Sequence, residues 1–231
     1  MADRVMIFVD GSYLFHSIRT YDPSYRIDYN KLVHYLIGLD PDFRLIRRYY
    51  YGSRAVSPVD EEQAVKQEKL FERLREMKFE LTVLELSTLY DPQAGGVRYR
   101  EKGIDVAIAV DILTLAHNRA FDIAILVSGD GDFVRLVRAV KQLGLRMMIA
   151  AFRHSCAPAL MEASDFPQVW IDTFTEEVRL VYEPQEMEWV ERPLFDAVCS
   201  VCGVAVRVPF IPDGIRPVYC REHLPARPYE H

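Results

Sequence analysis

Continuous apolar runs alternate along the chain with stretches that repeat an apolar residue every three or four positions. VMIFVD (5–10) carries no polar residue before its last position, the pattern of a strand buried on both faces. Helical spacing follows through YLFHSIRT (13–20) and again through KLVHYLIGL (31–39). LIRRYYYGS (45–53) reads as an aromatic strand. EEQAVKQEKLFERLREMK (61–78) reads as an amphipathic helix, its acids early and its bases late as the helix dipole favours. FELTVLEL (79–86) alternates like a strand, and GIDVAIAVDILTLAHNRA (103–120) is helical with an apolar face. DIAILVSG (122–129), the helix DFVRLVRAVKQLG (132–144) and the strand LRMMIAAF (145–152) continue the series. A short helix near PALMEASD and a last strand, QVWIDTF (168–174), close it.

This alternation predicts an α/β fold, a Rossmann-like three-layer sandwich with a mostly parallel sheet covered on both faces. It occupies residues 1–175. A polar stretch with two prolines reads as a linker over 176–194, and a separate small module follows at 195–231.

Composition narrows the class. A chain of 231 residues, 50% hydrophobic and 27% charged, has the make-up of a soluble globular protein with one sizeable core. The five-residue apolar run near the start is too short for a signal peptide, and no stretch is long enough to span a bilayer, so a cytoplasmic protein with no membrane partner is expected. The net charge of −6 excludes a generically basic nucleic-acid coat. It does not exclude a nucleic-acid substrate, because an enzyme using carboxylate-bound cations must carry the carboxylates.

In a doubly wound sheet the ligand site lies outside the carboxyl ends of the strands. Asp10 closes VMIFVD there, and Asp130 closes ILVSGD. Asp105 and Asp132 fall in the first turns of helices that begin at the same rim. Each acid taken singly is explained as a turn residue or a helix cap, a role worth about 1 kcal/mol. Four together would repel one another unless a cation offset them, and carboxylates plus water are what Mg²⁺ or Mn²⁺ prefers. Asp111 lies on the Asp105 helix, about 9 Å further along its axis, where a supporting role is expected.

VMIFVDGSYLF, KGIDVAIAVDILTLA and DIAILVSGDGDFVRLVRAVKQLG together resemble the NYN-domain proteins of the LabA-like branch, in the PIN-like nuclease superfamily. The resemblance runs from about residue 4 to 174. It implies a PIN-like sandwich with an acidic divalent-metal site that cleaves RNA. By position the family's metal-binding acids fall on Asp10, Asp105, Asp130 and Asp132, and its further acid on Asp111. One position departs: the family's first block reads Asp-Gly-x-Asn, and here Tyr13 stands where the Asn would be.

The activity implied is metal-assisted hydrolysis of RNA phosphodiester bonds by Mg²⁺ or Mn²⁺, with DNA left open as a substrate. The alternative is a weak or inactive module acting as an RNA-binding or protein-interaction regulator, with Tyr13 marking the loss. A haloacid-type phosphatase fits poorly, since Ser12 fills the place of its second Asp. Ser12, Lys102, Ser128 and Arg48 are the expected substrate contacts. Arg47 and Tyr49 to Tyr51 could join them through phosphate and base contacts, although the tyrosines read better as core. Ser155 is expected to cap the helix at Pro158, His154 is a lesser candidate for proton transfer, and Cys156 reads as a packed thiol. A homo-oligomer is compatible with the sequence.

The tail has its own chemistry. Cys199 and Cys202 form CxxC, and after 17 residues Cys220 and His223 form CxxH, the spacing of a tetrahedral Cys₃His zinc site. A zinc ribbon with structural Zn²⁺ is expected. Arg207, Arg216 and Arg221 could steer it to RNA, while VAVRVPF could pair with a protein edge.

Overall fold

The computed structural model describes residues 2–54, 61–91, 96–100, 102–181, 195–208, 212 and 217–223. Two compact units divide the chain, Met1–Val181 and Tyr182–His231. Residues 182–194 of the expected linker, Arg216 and the turn at 213–214 lie outside the described residues.

In the first unit, β1 (Asp3–Asp10) leads into α1 (Gly11–Tyr21) and α2 (Tyr29–Ile37). β2 (Phe43–Arg54), α3 (Glu61–Glu76) and β3 (Glu80–Glu85) follow, then a hairpin of β4 (Ser87–Asp91) and β5 (Gly96–Arg100). Next come α4 (Ile104–His117), β6 (Ile123–Val127), a 3-10 turn at Gly131–Phe133 and α5 (Val134–Gln142). The unit ends with β7 (Arg146–Ala151), α6 (Pro158–Ala163) and β8 (Val169–Trp170). Six strands form one sheet in the order β3-β2-β1-β6-β7-β8, every neighbour parallel.

Alternation along β1 sorts the core into two layers. Val5, Ile7 and Val9 pack with Leu14, Ile18, Leu32, Leu36 and Leu74 on the face covered by α1, α2 and α3. Met6 and Phe8 pack with Ile108, Ile112, Val137 and Leu160 on the face covered by α4, α5 and α6. On α4 the buried positions Ile104, Ile108, Ile112 and Ala116 recur every four residues. Burying each isoleucine stabilises the layer by about 1.5–3 kcal/mol. β1 pairs with β2 from Asp3↔Phe43 to Asp10↔Tyr51, with a bulge after Val5 that leaves Ile46 without an opposite residue.

The strand expected at 168–174 is two residues long, because the chain turns into a 3-10 helix at Ile171–Thr173. Residues 175–181 are part of the first unit. Val178 is buried in the core, Arg179 bridges to Ile27, and the Thr175 carbonyl accepts from Tyr25 Oη at 2.7 Å. Among the described residues no helix is long and apolar enough to cross a membrane.

The second unit pairs β9 (Phe195–Val198) with β10 (Ala205–Val208) in antiparallel register. Between them the chain turns through the Cys199–Cys202 knuckle, where Cys199 N donates to the Val204 carbonyl and Gly203 N to the Cys199 carbonyl.

Candidate functional site

Strand order runs β1, β2, β3 to one side of the centre and β6, β7, β8 to the other. The reversal between β1 and β6 is the topological switch point, where a doubly wound sheet opens a crevice at its carboxyl edge. Asp10 ends β1 at that point, and Ser128 follows the last residue of β6.

Asp10 is 3% exposed and caps α1, its Oδ1 accepting from Tyr13 N at 2.9 Å. The helix N-terminus favours a negative charge there. Its Oδ2 accepts from Ser128 Oγ at 3.1 Å, and Ser128 Oγ accepts in turn from Asp130 N at 3.2 Å. Asp130 caps the 3-10 turn, its Oδ1 accepting from Asp132 N at 2.9 Å. A continuous hydrogen-bonded series therefore joins Asp10, Ser128, Asp130 and Asp132. Asp10 is buried, Asp130 half-buried and Asp132 exposed, so the series leads from the core to solvent.

Asp105 is exposed in the first turn of α4, which packs against β1 and against the Gly131–Phe133 turn. Asp111 is held from the sheet: its Oδ2 accepts from Tyr51 Oη at 2.9 Å, and Tyr51 lies opposite Asp10 on β2. Burial, and then the bond to Asp111, push the Tyr51 phenol pKa up, so it remains a donor.

The expected substrate contacts separate. Ser128 is fully buried and serves as the link between two acids. Lys102 is exposed immediately before α4, and Ser12 is half-buried in the first turn of α1. Arg48 is not at the rim. It lies opposite Ile7, donates to Asn30 Oδ1 at 3.0 Å and stacks over Phe79, and burial lowers its pKa. Tyr50 and Tyr51 are core residues, and Tyr49 stacks on Phe8.

Tyr13 points its ring across the rim to the segment after β7. Its Oη accepts from Phe152 N at 2.9 Å and from Ser155 Oγ at 3.1 Å. Ser155 Oγ also lies 2.7 Å from Ser17 Oγ, so Ser155 does not cap α6; the N-cap position of that helix is Ala157, which provides no side-chain cap. His154 Nε2 is 3.2 Å from the Ser17 carbonyl. Cys156 is half-buried with its pKa raised by burial, the behaviour of an inert packed thiol. Neither contact of the Tyr13 hydroxyl was legible in the sequence, since both depend on how two distant loops approach.

In the second unit the ligand atoms of Cys199, Cys202, Cys220 and His223 all lie within 4.8 Å of one another. A tetrahedral zinc 2.3 Å from each sulfur sets sulfur atoms about 3.8 Å apart. Cys202 Sγ and Cys220 Sγ are 3.8 Å apart, and His223 Nδ1 is 3.1 Å from Cys220 Sγ and 3.9 Å from Cys199 Sγ. Backbone N–H groups of Cys202, Cys220 and Val201 aimed at Cys199 lower its pKa and favour the thiolate a metal needs. This set fits structural Zn²⁺. The aspartates are not gathered in that way among the described residues.

The model of the NYN domain matches residues 4–170. The chain belongs to the NYN domain family. A second model, for a probable treble clef zinc finger, matches residues 192–227, which refines the ribbon expected from the cysteine spacing. The low amplitude and bright protein LabA of Synechococcus elongatus is 22% identical over 162 residues, spanning 70% of this chain and 81% of LabA. A crystal structure of a Vibrio parahaemolyticus protein of unknown function superposes with a TM-score of 0.57 at 22% identity, over 78% of this chain and 97% of that one. This likeness shows the shared fold. The NYN domain family, within the PIN-like nuclease superfamily, thus accounts for the first unit, and a zinc finger for the second.

Proposed function

We propose that this NYN protein is a divalent-metal-dependent ribonuclease that hydrolyses RNA phosphodiester bonds at the β1/β6 rim. The observation that carries the reading is the hydrogen-bonded series of Asp10, Ser128, Asp130 and Asp132 at the switch point. The donors there are carboxylate oxygens, the chemistry of hard cations. Mg²⁺ takes one or two carboxylates and completes its shell with water and substrate phosphate, so an open rim suits it better than a closed cage.

Asp10 and Asp130 would hold Mg²⁺ or Mn²⁺, with Asp105 and Asp132 adding charge to the same rim. Bound there, the cation would supply Lewis-acid polarisation of the phosphoryl group and a lowered pKa for water. The chain's own residues do the remaining work. Tyr13 N and Ser128 Oγ hold both oxygens of Asp10, fixing the deepest acid. Asp132, exposed at the outer end of the series, would accept the proton of the attacking water through a carboxylate oxygen. The water oxygen would bond to phosphorus as the ester P–O bond breaks, and the leaving oxygen would take a proton from bulk solvent, to which Asp132 releases the one it accepted. Lys102 would meet the substrate's phosphates at the start of α4.

The test is cleavage of single-stranded and structured RNA with Mg²⁺ or Mn²⁺ by wild type, Asp10→Asn and Asp130→Asn. Loss of at least about a hundredfold in either variant is expected. Cleavage that survives both substitutions overturns the site. The second reading, an RNA-binding regulator, rests on Tyr13 standing where the family has Asn. A well-folded wild type that binds RNA without cutting it would favour that reading.

A further inference from the structure

Tyr13 is the one departure from the family's motif, and its surroundings show what it does instead. Three separate pieces of the rim meet on this residue. Its backbone N–H holds Asp10 Oδ1, while its hydroxyl accepts from Phe152 N and Ser155 Oγ in the loop after β7. The acid-bearing loop after β6 runs between them. A Cβ on Gly129 would come within 2.7 Å of Tyr13 Oη and 2.4 Å of the Ser155 carbonyl, so the backbone at 129 lies directly against both. Ala157 N donates to the Gly129 carbonyl at 2.8 Å, a further bond from the same segment to this loop. Ser128, one residue before, returns to Asp10 Oδ2. The result is a closed circuit: Asp10, the Tyr13 backbone, the Tyr13 ring, the Gly129 loop, Ser128 and Asp10 again.

We propose that Tyr13 is a positioning residue, whose hydroxyl locks the 152–157 segment against Gly129 and thereby sets the separation of Asp130 and Asp132 from Asp10. On this view Tyr13 does not mark a lost site. It orders the two loops mechanically, through ring length and two hydrogen bonds. Desolvation raises the Tyr13 pKa, so the hydroxyl keeps its proton through the neutral range. The metal-binding part of the claim rests on the function proposed above.

Tyr13→Phe keeps the ring and removes the bonds; Ser155→Ala removes one bond and leaves Phe152 N satisfied. Two measurements separate the inference from the function. Hydrogen exchange on metal-free protein is expected to show the amides of Phe152, Asp130 and Asp132 exchanging about tenfold faster in Tyr13→Phe, with a smaller change in Ser155→Ala. Mn²⁺ binding followed by electron paramagnetic resonance is expected to weaken by about tenfold or more in Tyr13→Phe. A role in packing alone would lower the melting temperature and leave Mn²⁺ affinity where it was, which overturns the proposal. Unchanged exchange at Asp130 and Asp132 also overturns it, whatever the metal data. Wild type that takes up no Mn²⁺ sinks the metal function, and with it the metal arm, while the exchange result still decides whether Tyr13 sets the loops.

Discussion

At the scale of single residues, the rim is built by close approach more than by charge. Gly129 is the clearest case, because any side chain there would meet the Ser155 carbonyl at 2.4 Å and Cys156 Cα at 2.8 Å. Both are backbone atoms and cannot swing aside. Gly129→Ala is expected to destabilise the protein by about 1–3 kcal/mol through overpacking. At this chain length that lowers the melting temperature by roughly 2–4 °C for each kcal/mol. An unchanged thermal melt would show that the two loops are not in contact. Asp10 and Ser128 form a similarly tight pair: both are buried, and each satisfies the other's polar group.

Among elements, β1 and β6 are the two strands on which the site depends, and they are joined at both ends. At the carboxyl end the joint is Asp10 to Ser128; at the amino end Arg4 donates its backbone N–H, Nε and Nη2 to Asp122. The Arg4 hydrogen bonds hold the Asp122 carboxyl below its ordinary pKa. A carboxylate depressed in the folded state stabilises the protein fully above its unfolded pKa of about 3.9 and loses that contribution as the pH falls toward the folded value. The urea midpoint of Asp122→Asn is therefore expected below wild type at pH 7, with the gap closing as the pH drops under about 4. The effect is small, since both side chains are well exposed. The same strands show what a sequence can disclose. β1, β6 and β7 were readable because continuous apolar runs are needed where both faces are covered. The β4–β5 hairpin went unread although only the Pro- and Gly-containing sequence PQAG separates STLYD from GVRYR, a signal of ordinary strength. β8 was overextended because Ile171 and Phe174 are buried from a 3-10 turn and look, in sequence, like the inward positions of a strand. The four rim acids could be placed at one edge from strand ends and helix starts. Their linkage through Ser128 could not, because a hydroxyl that is both donor and acceptor is defined only by its neighbours in space.

Over the whole molecule, two units are stabilised by different means. The NYN unit has two hydrophobic layers about a six-stranded sheet, whereas the described part of the second unit buries little beyond Val208, Val218 and two of its cysteines. Such a unit takes its folding free energy from metal, with zinc-finger peptides gaining about 10–16 kcal/mol on binding. Chelation at neutral pH is expected to abolish amide protection within 195–223 and to leave the NYN unit's protection unchanged, read by hydrogen exchange with and without a strong chelator. Native protein should hold one zinc per chain, and Cys199→Ala should reproduce the chelated state. Protection that survives metal removal would show that the finger has a core of its own.

The bulge after Val5 has an effect at the far end of the strand. Because Ile46 stands outside the pairing, β2 changes parity there: Leu45 and Tyr50 pack in the layer of α1 to α3, while Tyr51 packs in the layer of α4. Tyr51 can then sit beside Asp10 and hold Asp111. Ile46 is thus a phase setter. Five residues and about 16 Å upstream of Tyr51, with no contact to the chemistry, it decides which tyrosine arrives at the acid. Were Ile46 paired with Met6 instead, every later residue of β2 would slip by one position and Tyr50 would replace Tyr51 beside Asp10, disturbing the rim while leaving every rim residue in place.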